Sequence, residues 1–260
     1  MDICFFIGAV ISVLALSAFA VLAASPGRMA LWHTVRACVA DFKLIGAPFP
    51  CVMVDLSGGE DRGYVVLRAP FGPPDTILAP TRKVVGVEDP WLQSQDAPNF
   101  FEAAWRARSL FREKGREPRP NQFALAVNSA LNRSQDQLHI HLGCLAPSAR
   151  RALTSVAERL PIGVWERVGD IVPGARLWAF RTGKKYLDGI YPFRLAAEGL
   201  AGRVRNRALL TIFVTQAHTT TDEFVILASS AGDSGPHGQL AAEDILDLAC
   251  SSQPGAPRSN

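Results

Sequence analysis

His139 and His141 stand one residue apart in "NRSQDQLHIHLGC" (132–144), interleaved with Leu138, Ile140 and Leu142. This alternation reads as a β-strand, which sends successive side chains to opposite faces. The three aliphatic residues then pack inwards, while Gln137, His139, His141 and Gly143 share the other face. Along such a strand the two imidazoles lie roughly 6–7 Å apart. Gly143 leaves room for another backbone or a ligand to come close. Three uses of the pair compete. Two imidazoles on a solvated strand face need no chemistry at all. Imidazole is also a common zinc ligand, but "HIHLGC" adds no acidic ligand or third histidine, and His33, His218 and His237 are distant. The third use is attack on phosphorus, because neutral imidazole, with an unperturbed pKa of about 6.5, is a good nucleophile. A phosphate leaves with little acid assistance, so such a site needs fixed donors around the non-bridging oxygens. "NSALNRSQDQ" (128–137) offers amides, hydroxyls and an arginine just before the histidines. As the loop between two paired strands, it brings Asn128 back beside His139. Nucleophilic chemistry of this kind requires no metal and no cofactor.

Composition narrows the setting. A chain of 260 residues, 48% apolar and 20% charged, folds with ample core. A net charge of +3 gives no argument for a nucleic-acid partner. Arginine outnumbers lysine 22 to 5; guanidinium forks suit phosphate oxygens, although a coding bias yields the same count. Residues 3–24, "ICFFIGAVISVLALSAFAVLAA", carry no charge over 22 positions. At helical rise that is roughly 33 Å, the thickness of a bilayer core. A cleaved signal peptide is the rival reading, with Ala18-Phe19-Ala20 as a cleavage site. The long apolar run and the missing basic n-region favour an uncleaved anchor in the lipid bilayer. Beyond Cys4 there are four cysteines, Cys38, Cys51, Cys144 and Cys250, an even number that allows three pairings. Disulfides would put the domain on the oxidising side, whereas Asp2 before the run and Arg28 and Arg36 after it favour the cytoplasm. The cysteines weigh more.

The elements that must position the histidines follow. An anchor at 1–25 leads to a juxtamembrane helix and link at 26–62, where "MALWHTVR" (29–36) carries Trp32 at interfacial depth. The catalytic half spans 63–150. "GYVVLRA" (63–69) and "DTILAP" (75–80) pair around "PFGPP", and Asp96 and Pro98 open a helix of about 18 residues. Phe101, Trp105 and Phe111 give that helix a stripe for the core. "QFALAVNSA" (122–130) and "QLHIHLGCL" (137–145) are the next strands. The half from 151 to 250 contributes a strand at 175–183, a helix at 192–202 and a strand pair at 208–216 and 222–230, completing the same domain. Both halves run strand, helix, strand, strand, without residue similarity sufficient to assert a duplication. The tail, 251–260, is expected to be disordered.

"QDQLHIH" resembles the signature of the histidine-triad superfamily. Within it, the chain is similar to bacterial CDP-diacylglycerol diphosphatases through "GYVVL", "PTRKVVGVEDP", "PNFFEAAWRAR", "LAVNSALNRSQDQLHIHLGC" and the late Cys250. The likeness covers residues 1–250 and is strongest over 63–150. It implies an α+β fold: a histidine-triad-like antiparallel sheet with helices on one face, preceded by a single N-terminal transmembrane helix. It also implies a single-pass inner-membrane hydrolase, its catalytic domain periplasmic, that splits CDP-diacylglycerol into CMP and phosphatidate. His139 matches the nucleophile and His141 the histidine that hydrogen-bonds the phosphoryl oxygens. Asn128 matches a nucleotide-side contact, and Gln135 lies in the turn that supplies phosphate donors. Gln137 occupies the first histidine position, where it can hydrogen-bond but cannot carry a proton. Arg133, with Arg82 or Lys83, would offset diphosphate charge. The resemblance, with a short spacing, favours Cys38–Cys51, leaving Cys144–Cys250. Superfamily members often form homodimers, a place the second half of this chain could itself fill. Action on soluble dinucleotides or CDP-alcohols, or a tethered nucleotide-binding module without catalysis, are the alternatives.

Overall fold

The computed structural model describes residues 27–68, 75–110, 117–169, 171–217, 223–230, 240–248 and 250. The charge-free run 3–24, the turn 70–74, Phe111, His218, His237 and the tail 251–260 lie outside them. Ten strands are present among the described residues: β1 (Met53–Asp55), β2 (Tyr64–Arg68), β3 (Thr76–Pro80), β4 (Phe123–Val127), β5 (Ile140–Leu145), β6 (Trp165–Val168), β7 (Leu177–Arg181), β8 (Leu210–Gln216), β9 (Phe224–Ser230) and β10 (Leu246–Asp247). They form one antiparallel sheet in the order β1-β2-β3-β5-β4-β8-β9-β7-β6, with β10 continuing beside β5 where β3 stops. Four α-helices among the described residues accompany it: α1 (Ala30–Ile45), α2 (Phe100–Arg106), α3 (Pro147–Ala157) and α4 (Pro192–Gly199).

The expected fold class needs correction on three points. First, among the described residues the architecture is mainly antiparallel sheet with few helices, the longest of 16 residues. Second, the helices cover both faces. Phe100 and Phe101 of α2 and Phe193 and Ala196 of α4 pack on one face with Leu125, Ile140, Leu142, Ile212 and Ile226. On the other face, α3 packs on Ala124, Ala126, Phe213 and Leu227, and α1 packs on Val65, Leu67 and Ala79. The physical reason lies in the central strands: β4 and β9 are buried at every position. A strand apolar on both sides must be covered on both sides. Third, no helix among the described residues is long and apolar enough to cross a membrane.

The helix expected to run for about 18 residues is also shorter. It starts at Phe100, where the Asn99 side chain accepts from the Glu102 amide, and α-helical geometry ends at Arg106. Its stripe is core, as its spacing indicates: Phe101 is buried, and Trp105 meets Phe123 and Phe224 edge-on at 5.5 and 4.7 Å. Both favoured disulfides are present, Cys38–Cys51 and Cys144–Cys250. Gly143 fulfils its expected use, since a Cβ there would come within 3.3 Å of the Asp247 carbonyl and the Leu248 backbone.

Without β1, at its edge, the sheet order is palindromic. In chain order β2, β3, α2, β4 and β5 are echoed by β6, β7, α4, β8 and β9, and the two sets meet where β4 pairs with β8, from Ala124↔Thr215 to Val127↔Ile212. The chain itself thus supplies, in β8, the strand beside β4. The strand that echoes β5 is β9. On the face corresponding to the histidines it carries Val225 and Leu227, buried with Phe213 beneath α3. The second half holds apolar core where the first holds imidazoles.

Candidate active site

The histidine face falls between the two apolar clusters that cover this side of the sheet. Neither α1 nor α3 closes the gap, and a cavity of about 590 Å³ remains. Ala30, Leu31 and Thr34 of α1, with Leu67 and Ile77, form one wall; Asn128, Asn132 and Glu243 stand opposite, and His139, His141, Asp75 and Gln135 also line it. The imidazoles are therefore not on a solvated face: they are 8% and 5% exposed.

The loop between β4 and β5 is fixed from several sides. The Ser129 carbonyl accepts from the amides of Asn132 and Arg133. Asn132 donates to the Leu240 carbonyl. The Arg28 guanidinium grips both Asp136 oxygens at 2.7 and 2.8 Å, and Gln135 Oε1 accepts from the Leu31 amide at 2.9 Å. The beginning of α1 and the loop before the histidines are thereby held together.

His139 precedes β5 by one residue, and its Nδ1 lies 2.8 Å from the Gln137 carbonyl. A carbonyl only accepts, so Nδ1 carries the proton and Nε2 keeps its lone pair. Burial, and then the neighbouring His141, push the His139 pKa down to about 4. A buried cation is costly, so the ring stays neutral at pH 7. His141 lies edge-on to it, ring centroids 4.9 Å apart. The His141 Nδ1 is 3.1 and 3.2 Å from the two oxygens of Asp75. Its Nε2 is buried and has no hydrogen-bond partner among the described residues. Asn128 Oδ1 accepts from the Ala242 amide at 2.7 Å, which leaves its NH₂ as the group to offer a ligand.

Not every expected site residue reaches the cavity. His139, His141, Asn128 and Gln135 line it; Gln137, Arg133 and Lys83 do not. Gln137 is fully buried. Its Nε2 donates to the Pro80 and Arg82 carbonyls at 2.9 Å each, and its Oε1 accepts from the Val84 amide. It ties the histidine loop to the segment after β3. Arg133 is buried and bound to Glu88 at 2.7 Å and to Asp136 at 3.3 Å, so its charge is met within the protein. Gly86 makes this possible, since a Cβ there would sit 2.0 Å from Arg133 Nη1. Lys83 is exposed, and the exposed Arg82 lies 4.8 Å above the Trp91 ring.

Two residues were missed in the sequence. Arg68, at the end of β2, lines the cavity as its cation and donates to the Leu110 carbonyl at 2.8 Å. Asp75 could have been found: the register pairs Ile77 with His141, and the residue two before Ile77 shares its face. Among the described residues no three His, Cys, Asp or Glu side chains converge as metal ligands.

The role of Gln137 is open to measurement. Gln137→Ala strands two carbonyls and an amide in the interior, and each buried group without a partner costs about 1–3 kcal/mol. We expect a loss of about 3 kcal/mol of stability or more, read as a lower urea midpoint. An unchanged midpoint would mean that the three bonds do not hold the loop.

Residues 26–254 match the family model described as CDP-diacylglycerol pyrophosphatase. A relative of that name from Yersinia pestis is 30% identical over 230 residues, 88% of this chain and 86% of its own. One from Mycobacterium bovis with the same name, and one from Mycobacterium tuberculosis named as a probable CDP-diacylglycerol pyrophosphatase, are each 31% identical over 258 residues, 94% of either chain. The protein is an enzyme of the hydrolase class. It belongs to the CDP-diacylglycerol pyrophosphatase family.

Proposed function

We propose that the enzyme cleaves the diphosphate of CDP-diacylglycerol to CMP and phosphatidate through a nucleotidyl-histidine intermediate. The observation that carries this is the hydrogen bond from His139 Nδ1–H to the Gln137 carbonyl, which leaves the Nε2 lone pair as the nucleophile. His139 Nε2 bonds to the phosphorus of the CMP moiety as the bridging P–O bond breaks, and phosphatidate leaves with that bond's electrons. Water then attacks the same phosphorus and frees CMP, returning the electron pair to Nε2. His141 is oriented for the phosphoryl oxygens: with Nδ1–H on the Asp75 carboxylate, it can take a proton at Nε2 and donate it in a hydrogen bond. Asn128 offers its NH₂. The first turn of α1 lends the partial positive charge of a helix N-terminus, and Arg68 supplies the cation that Arg133 and Lys83 do not bring.

These parts together form the electrostatic surround that phosphoryl transfer needs. The likeness of "QDQLHIH" to the histidine-triad signature supports the same mechanism. The two disulfides support a location on the oxidising side of the membrane, and a diacylglycerol substrate puts the site of action at a bilayer.

The test is product identification from CDP-diacylglycerol without added metal. CMP and phosphatidate in equal amounts are expected. Release of CDP and diacylglycerol, or turnover of soluble dinucleotides alone, would overturn the proposal.

A further inference from the structure

Nine large apolar side chains are exposed among the described residues, and four of them fall within nine consecutive positions. These are Leu44, Ile45, Phe49 and Val52, exposed by 70, 64, 44 and 40%. Apolar residues scattered singly on a surface need no explanation, but a concentration of them marks a contact. Leu44 and Ile45 end α1. Gly46 then reverses the chain in a left-handed conformation, φ 71°. The Cys38–Cys51 disulfide, with Cα atoms 5.7 Å apart, pins the returning segment to the middle of that helix. On its way back the segment passes the cavity, which Phe49 and Pro50 line. The rim is thus continuous with the apolar end of the cavity, formed by Leu31, Leu67 and Ile77. Those side chains offer a nucleotide no polar partner. Lys43 and Arg36, both paired with Glu60, stand beside the rim.

We infer that residues 44–52 form the rim on which the enzyme rests on a phospholipid bilayer, the acyl chains of the substrate entering over Phe49 and Pro50. The inference rests on the lipid-substrate reading above for the acyl chains, although the contact with the bilayer is measurable without it. Apolar side chains that enter the boundary of the acyl layer, beside cations at headgroup level, are how proteins lie on a membrane surface.

The experiment uses the full chain reconstituted with vesicles of phosphatidylcholine and phosphatidylglycerol. Cys4, the one cysteine outside the two disulfides, is changed to serine, and a bimane label is attached at Ile45→Cys or, as control, at the exposed Tyr186→Cys. Brominated acyl chains should quench the label at 45 and leave that at 186 bright. An unquenched label at 45 overturns the inference. In a second arm, Leu44→Asp with Ile45→Asp should lower turnover of CDP-diacylglycerol in vesicles by about tenfold, with turnover of a water-soluble short-chain liponucleotide unchanged. Equal losses on both substrates would mean that the rim is structural, and would overturn it. If the wild type cleaves neither liponucleotide, the substrate reading fails, whereas the quenching at 45 still decides the contact with the bilayer.

Discussion

His139→Ala is expected to lower CMP release from CDP-diacylglycerol by on the order of 10⁴-fold or more, the scale on which removal of a nucleophile acts. The other imidazole of the cavity, His141, has its Nδ1 bound to Asp75 and serves the phosphoryl oxygens in this mechanism. Rapid acid quenching of the wild type should trap CMP on the protein, at residue 139 by peptide mapping, and the alanine variant should trap none. The pH dependence supplies an independent check. In the proposed mechanism His139 attacks as the neutral ring, and its pKa is pushed down to about 4 by burial and by His141. The acid limb of kcat/KM, which reports the free enzyme, should therefore fall near pH 4, below the range of an ordinary imidazole at about 6.5. Turnover that persists in His139→Ala, or an acid limb near 6.5 that disappears with that substitution, would contradict the assignment, the first as to the residue and the second as to its environment.

The strand that carries the histidines was legible because alternation has one physical cause: Leu138, Ile140 and Leu142 do enter the core, and the polar residues between them point the other way. Long apolar runs such as "LLTIFV" and "EFVILA" likewise gave β8 and β9. The same runs also held the information that was misread. Strands apolar at consecutive positions are buried on both faces, and the helices on the second face follow from that. Helix α3 went unread because its buried stripe is Ala149, Leu153 and Ala157, two of them too small to stand out in an Arg-rich stretch. The strands β1 and β10, three and two residues long, are below what periodicity can reveal.

Within the site, residue type and spacing singled out the two imidazoles that line the cavity, but they could not show which cations are met within the protein. Arg133 lies in the right loop with the right chemistry, yet Glu88, 45 positions earlier, claims it. Gln137 holds the right position in the motif, yet the segment after β3 uses all its hydrogen-bonding groups. A side chain's type says what it can bind, and only the fold decides what else competes for it. The palindrome of strands shows the same limit from the other side. Its two halves share order without sharing residues, because packing constrains the strands while chemistry constrains only the one that keeps its histidines.

Asp75→Asn should lower kcat by about 10²- to 10³-fold, the cost of losing one electrostatic contributor to the transition state, with little change in KM. In the wild type the carboxylate accepts from His141 Nδ1–H at 3.1 Å. That contact fixes the tautomer and compensates the charge when Nε2 takes a proton to meet a phosphoryl oxygen. Asparagine keeps the shape but not the charge, and its NH₂ can present itself to Nδ1, turning the ring to the wrong tautomer. A loss of packing alone would not distinguish these roles, so two further readouts are needed. The urea midpoint should stay near that of the wild type, since Asp75 is partly exposed. Asp75→Glu should recover part of kcat. If kcat of Asp75→Asn stays within about threefold of the wild type, or if its loss is matched by a lower urea midpoint and Asp75→Glu recovers nothing, the pair is a structural contact at the start of β3.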